Sequence, residues 1–236
     1  MAKTKKVTSY SGWASGRCVV VGISGGIAAY KIPGLVNQLK YEGAEIHVIM
    51  TSHATKFITP MTLQVLSQNP VQVDMFETSD LGQIEHIDLA DRADVLVVAP
   101  ATANILGKVA GGIADDLLTS TIMSTTSPVL FCPAMNVHMY ENQIVQENIQ
   151  KLKKLKYRFV DPEVGALACG YEGRGRLADQ DVMLRAIRRI LDAPRTLSAA
   201  PIRSAFAKVA DAPQPLWRRR ASADTRRSAS ARRRVK

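Results

Sequence analysis

Cysteine is scarce in this chain. Three cysteines in 236 residues, Cys18, Cys132 and Cys169, are an odd number with no close spacing, which argues against a disulfide framework or a zinc site, so no metal is expected. No apolar run approaches the roughly 18 residues needed to cross a bilayer. Residues 1–17 are polar and lysine-bearing and lack the apolar stretch of a signal peptide. A membrane partner is therefore not expected, and the cytosol is the expected location. Internal repeats are also missing. Apolar residues make up 46% of the chain, enough to build a core.

Charge is abundant but unevenly placed. The net charge of +10 resembles a nucleic-acid footprint, yet residues 193–236 alone hold twelve Lys/Arg against two Asp. Residues 1–192 hold 19 basic and 19 acidic residues and are neutral. The basicity belongs to a tail, which would bind polyanions weakly and in a salt-sensitive way. Nucleic acid is accordingly not the expected partner of the folded part. Pro194, Pro201, Pro213 and Pro215 interrupt that tail, and from Trp217 it is mostly Arg, Ser and Ala. Its composition predicts disorder.

Between these ends the pattern alternates. Arg17 to Ile23, Glu45 to Met50, Asp94 to Ala99, Pro128 to Cys132 and Tyr157 to Val160 read as strands. The more continuous of these apolar runs suit strands covered on both faces. Helices are expected at Ile27–Tyr41, Thr62–Gln68, Asn104–Ala110, Asp116–Ser124, Glu141–Leu155 and Asp181–Leu191. The result is a three-layer α/β domain over 17–192 with a parallel sheet of Rossmann or flavodoxin type. Residues 1–16 form an N-terminal extension and 193–236 a tail.

Several segments carry chemistry. Gly22-Ile23-Ser24-Gly25-Gly26-Ile27 joins the first strand to the first helix, where small residues let backbone N–H groups approach a phosphate. A plain tight turn is the alternative. The third glycine of the dinucleotide pattern is missing, and Met50-Thr51-Ser52 ends the second strand where that pattern needs an acid. Hydroxyls there suit a mononucleotide phosphate better than a ribose diol. Ala99-Pro100-Ala101-Thr102-Ala103-Asn104 ends the third strong strand; Thr102 or Asn104 can cap the next helix, and the small residues leave room for a flat ligand. Asp116, after Gly111-Gly112, reads as a helix cap.

Pro133-Ala134-Met135-Asn136 follows a buried strand, so Asn136 sits where open α/β sheets bind ligands. Its amide can grip a carboxylate. His86 stands among mixed polar neighbours, an ordinary surface setting; His47 and His53 have weaker claims, and His138 cannot be judged apart from Asn136. Cys18 and Cys132 lie in strand-like runs and read as inert core residues. Cys169 differs. Glycines at 165, 170, 173 and 175 make its segment a mobile flap, and Arg174 and Arg176 would favour its thiolate. An incidental thiol in a surface loop is the competing reading.

Together, SGGIAAYK (24–31), the spacing of Thr51, Ala54 and Phe57, EHIDLAD (85–91), APATAN (99–104), GGIADDLL (111–118), PAMNVHMY (133–140) and LACGYEGRGR (167–176) resemble the homo-oligomeric flavin-containing cysteine decarboxylases. The resemblance is collinear over about residues 17–190. It implies FMN, with its phosphate near Ser24, Gly25, Gly26, Thr51 and Ser52 and its ribityl chain and ring near Thr102, Ala103, Asn104 and Met135. In such enzymes oxidation of a thiol to a thioaldehyde labilises the neighbouring carboxylate; CO2 leaves, and the enethiolate is reduced. By the same resemblance His86 is the base, Asn136 holds the carboxylate, Cys169 is the proton donor on the flap, and Ala166, Leu167 and Ala168 border the substrate.

The implied activity is decarboxylation of 4′-phospho-N-pantothenoylcysteine to 4′-phosphopantetheine in coenzyme A biosynthesis, by a cytoplasmic homotrimer or an assembly of trimers whose sites lie at subunit interfaces. The LACGYEGRGR flap favours this substrate over a peptide with C-terminal cysteine. A flavin prenyltransferase would not need His86, Asn136 and Cys169 together, and a non-catalytic flavoprotein subunit would lose one of them. Tyr140 replaces the Trp of many members. The synthase domain that follows in bifunctional members has no counterpart in 193–236, so a separate phosphopantothenate–cysteine ligase is an expected partner.

Overall fold

The computed structural model describes residues 11–75, 85–166 and 170–193; within these, Glu85 and His86 are described by their backbone alone. The expected disordered tail therefore lies outside the described residues. Six strands form one parallel sheet: β1 (Cys18–Ile23), β2 (Glu45–Met50), β3 (Val71–Gln72), β4 (Val95–Ala101), β5 (Val129–Pro133) and β6 (Arg158–Phe159). Their order is β3-β2-β1-β4-β5-β6, with every pairing parallel. The order reverses direction between β1 and β4, and crevices at such a reversal, beyond the carboxyl ends of the strands, are where open sheets hold ligands.

The apolar runs are explained by burial on both faces. Val19, Val21 and Ile23 of β1, with Val95, Val97 and Ala99 of β4, enter one core layer under α1 (Ile32–Tyr41) and α8 (Gln180–Asp192). Cys18 and Val20, with Leu96, Val98 and Ala101, enter the other layer, under α3 (Glu85–Arg92), α4 (Ala103–Gly111), α5 (Leu117–Ser124) and α7 (Gln143–Lys154). From Val95 to Ala99 and along β1 successive residues alternate between the layers as the two-residue period requires, and the register shift between Val98 and Ala101 moves Ala101 to the other layer. In α8, Met183, Ile187, Ile190 and Leu191 make the buried stripe expected of a surface helix.

Four features depart from expectation. The chain between Ile27 and Tyr41 opens as a 3-10 turn, Ile27–Lys31, and becomes α-helical only at Ile32, where Pro33 sits in the first turn with no N–H to leave unsatisfied. The helix expected over Glu141–Leu155 is present as α7 but begins two residues later, because a separate short helix, α6 (Val137–Glu141), precedes it and the Asn142 Oδ1 accepts the N–H of Ile144 at 2.9 Å to start α7. The Gly-rich flap is largely regular, because β7 (Glu163–Ala166) and β8 (Glu172–Arg176) pair antiparallel. Finally, the packed body begins before Arg17. Ala14 is fully buried, its N–H donates to Glu42 O at 3.0 Å, and Trp13 lies under the guanidinium of Arg188 in α8. The remaining helix, α2 (Pro60–Ser67), covers β2 and β3. No helix among the described residues is long and apolar enough to cross a membrane.

Candidate active site

A cavity of about 1400 Å³ opens at the carboxyl ends of β1, β2, β4 and β5. Three loops form its floor. In the β1 loop, Ser24 is 2% exposed, and its hydroxyl donates to Pro100 O at 2.6 Å and accepts from the Thr102 N–H at 3.1 Å. The side chain of Ser24 is thus consumed in tying the β1 loop to the β4 loop, so that Gly25 and Gly26 present backbone to the cavity. A Cβ on Gly25 would fall 2.4 Å from His53 Cβ, closer than any side chain allows. Here the glycine is required by the approach of the β2 loop. Thr51 Oγ1 accepts the Ala54 N–H at 3.2 Å, which shapes that loop, and Ser52 also lines the cavity.

Thr102 caps α4 through its hydroxyl, which accepts the Ile105 N–H, and Ala103 and Asn104 follow on the cavity wall. Asp116 caps α5 in a reciprocal box with Thr119, and Lys108 pairs with Asp115 at 2.7 Å and Asp116 at 2.9 Å. Burial works against the Asp116 carboxylate, but the Thr119 N–H, the Lys108 ammonium and the Thr119 hydroxyl outweigh it and hold the carboxyl below its ordinary range.

Asn136 caps α6: its Oδ1 accepts the His138 N–H at 2.8 Å, which fixes the orientation of the amide. Met135 and Asn136 both line the cavity. The flap is seated directly on this loop. The Met135 N–H donates to Gly175 O at 2.9 Å, and a Cβ on Gly175 would lie 2.2 Å from Met135 O. A Cβ on Gly173 would lie 2.6 Å from Val137 Cγ2. Ala166 at one end of the hairpin and Gly175 and Arg176 at the other line the cavity, so the flap flanks the space above Asn136. Tyr140, in the position of the expected aromatic, is buried, and its phenol is pushed up chiefly by that burial.

The structure therefore brings Ser24, Gly25, Gly26, Thr51, Ser52, Thr102, Ala103, Asn104, Met135, Asn136 and Ala166 to one cavity. Leu167, Ala168 and Cys169 lie outside the described residues. His86 lies in α3, and no described residue of α3 lines the cavity. His53, to which spacing gave a weak claim, does line it, as do Tyr30, Lys31 and Lys56. Ile27, Tyr30 and Lys31 follow one another at i, i+3 and i+4, the one trace of a shared face that the sequence carries.

Residues 7–192 match the Flavoprotein family. The coenzyme A biosynthesis bifunctional protein CoaBC of Bacillus subtilis is 48% identical over 169 residues, which cover 72% of this chain and 42% of that protein. The chain thus spans less than half the length of such bifunctional relatives. A probable phosphopantothenoylcysteine decarboxylase of Streptococcus mutans is 45% identical over 175 residues, covering 73% of this chain and 98% of that one. Among solved structures, a PPC decarboxylase variant complexed with pantothenoylaminoethenethiol superposes with TM-score 0.68 at 30% identity, over 75% of this chain and 99% of the other. The FMN-dependent cysteine decarboxylase SpaF does so with TM-score 0.67 at 30% identity, over 75% and 97%. With the match covering nearly all of the described body, this chain belongs to the Flavoprotein family.

Proposed function

We propose that the chain is an FMN-dependent carboxy-lyase that converts 4′-phospho-N-pantothenoylcysteine to 4′-phosphopantetheine and CO2 in coenzyme A biosynthesis. The observation that carries this reading is the joining of Asn136 and the flap hairpin over a cavity at the β1/β4 reversal. Relatives of the same fold bear names from this reaction and pathway.

The residues present fit a flavin mononucleotide. Gly25 and Gly26 line the cavity with no side chain of their own, and the hydroxyl residues Thr51 and Ser52 border them, a setting suited to a phosphate monoester. Ala103 and Met135 supply apolar surface, and Thr102 and Asn104 polar groups, along the wall for the ribityl chain and ring. Bound there, the flavin would supply a two-electron acceptor for the substrate thiol and return the electrons in the final reduction.

The rest falls to the chain. With Oδ1 of Asn136 held by the His138 N–H, Nδ2 is the group that donates to the substrate carboxylate until CO2 leaves. Cys169, between the two strands of the flap, delivers the proton in the final reduction, with Ala166, Leu167 and Ala168 against the substrate. His86 acts as the base and serves the site of a neighbouring protomer, since the described part of α3 stands apart from the cavity of its own chain. Ile27 (57% exposed), Tyr30 (61%) and Met139 (49%) line the cavity yet face solvent, which supports a trimer closing over it. Residues 193–236 are an appended basic tail. A cytoplasmic location and a separate ligase that provides the substrate accompany this role.

Incubation of the purified protein with phosphopantothenoylcysteine, followed by mass spectrometry, tests the reading. Loss of CO2 with formation of phosphopantetheine is expected. Untouched substrate, or turnover of a peptide ending in cysteine instead, would overturn it.

A further inference from the structure

A second polar cluster lies at the opposite end of the same strands. Cys18 opens β1, Glu45 opens β2, and the two are partners in the parallel register. His47, two residues beyond Glu45, faces the same side by strand alternation. One donor atom from each of Cys18, Glu45 and His47 lies within 4.8 Å of the others. Cys18 is buried, the His47 side chain is 12% exposed, and that of Glu45 is 51% exposed. None of the three lines the flavin cavity.

We propose that Cys18, Glu45 and His47 bind one thiophilic divalent cation of the zinc class. A thiolate, an imidazole and a carboxylate are all donors that zinc accepts, whereas magnesium and calcium take oxygen donors. The thiolate and carboxylate together balance the charge of the ion, and the exposed side of Glu45 leaves a fourth position to water. Between the imidazole and the carboxylate only a small adjustment is needed. His47 Nε2 and Glu45 Oε1 are 2.9 Å apart and would open to about 3.3 Å, the edge of a tetrahedron with bonds near 2.0 Å. An outer layer of partners is in place: Arg92 pairs with Glu45 and with Asp88, and the Cys18 N–H donates to Asp94 Oδ2 at 2.8 Å. Arg92 retains Asp88 when Glu45 turns to the ion. Linear spacing conceals this set, because Cys18 and Glu45 become neighbours only through the β1–β2 register.

The test uses the full-length protein as purified, without an affinity tag and stripped with a chelator. Zn²⁺ is titrated against a chromophoric chelator, and Co²⁺ is followed by difference spectroscopy. One equivalent of tightly bound zinc and a thiolate-to-cobalt charge-transfer band are expected. Cys18→Ser and His47→Gln should each weaken zinc by more than about tenfold, since even loss of an outer partner commonly costs that much. Cys18→Ser should also abolish the band, while His47→Gln keeps the thiol and guards against a folding defect in the first variant. Wild-type protein that binds zinc no more tightly than the variants, or a cobalt band that survives Cys18→Ser, would overturn the proposal.

Discussion

The two ends of the parallel sheet are built from different materials. At the carboxyl ends of β1, β2, β4 and β5 the chain places glycine, alanine and hydroxyl residues, and the polar side chains there, such as Ser24 and Thr102, are spent on holding loops together. At the amino ends of β1 and β2 it places Cys18 and His47 among Arg17, Glu45, Arg92 and Asp94, whose charges answer one another directly. One end turns backbone groups toward an empty volume; the other neutralises itself. The difference separates a cavity lined by backbone and small residues from a cluster of charged and soft side chains, although both ends belong to the same strands.

Substitutions can sharpen or break this contrast, and the largest effect is expected at Asn136. Asn136→Asp keeps an oxygen for the His138 N–H, so the cap and thermal stability should hold. On the proposed function it also sets a negative charge against the substrate carboxylate and removes a placed donor, so kcat/KM should fall by about 10²- to 10³-fold. A parallel loss of melting temperature would show Asn136 to be structural. Next comes Gly25→Ala, whose Cβ must push His53 aside. FMN affinity, read by flavin fluorescence, should drop by about 10- to 100-fold, the equivalent of 1–3 kcal/mol of overpacking.

Asp116→Ala should cost about 1 kcal/mol of stability through the lost cap. In the wild type that contribution has a definite sign with pH. The folded carboxyl titrates below its unfolded value, so its stabilisation is fully present above the ordinary value of about 3.9 and is lost as pH falls through the lower folded one. Acid unfolding of Asp116→Ala should therefore show a weaker dependence below about pH 4 than wild type. Glu45→Gln, measured in chelator, should shift stability by less than about 1 kcal/mol, because its ion pairs are half exposed, and should leave FMN affinity unchanged. Loss of FMN in that variant would erase the distinction between the two ends.

Much of this architecture was legible in the residues. β1, β4 and β5 announce themselves because burial on both faces demands continuous apolar runs. The loops after β1, β2, β4 and β5 were readable because small and hydroxyl residues have few other reasons to cluster at strand ends. The hairpin was not legible. Glu172-Gly173-Arg174-Gly175-Arg176 has almost no strand propensity, and its regularity comes from pairing with Glu163–Ala166 and docking on Met135, both long-range contacts. Asn142 was equally hidden, since a capping residue inside a helix-like pattern looks like one more polar position. The grouping of Cys18, Glu45 and His47 required the strand register itself.

The close fit of Gly175 against Met135 sets a rule for redesign. The stem of the flap and the asparagine-bearing segment form one module. A graft that imports a foreign stem with a side chain at position 175 would displace the Asn136 amide along with it, whereas changes confined to the segment between the strands leave that module untouched.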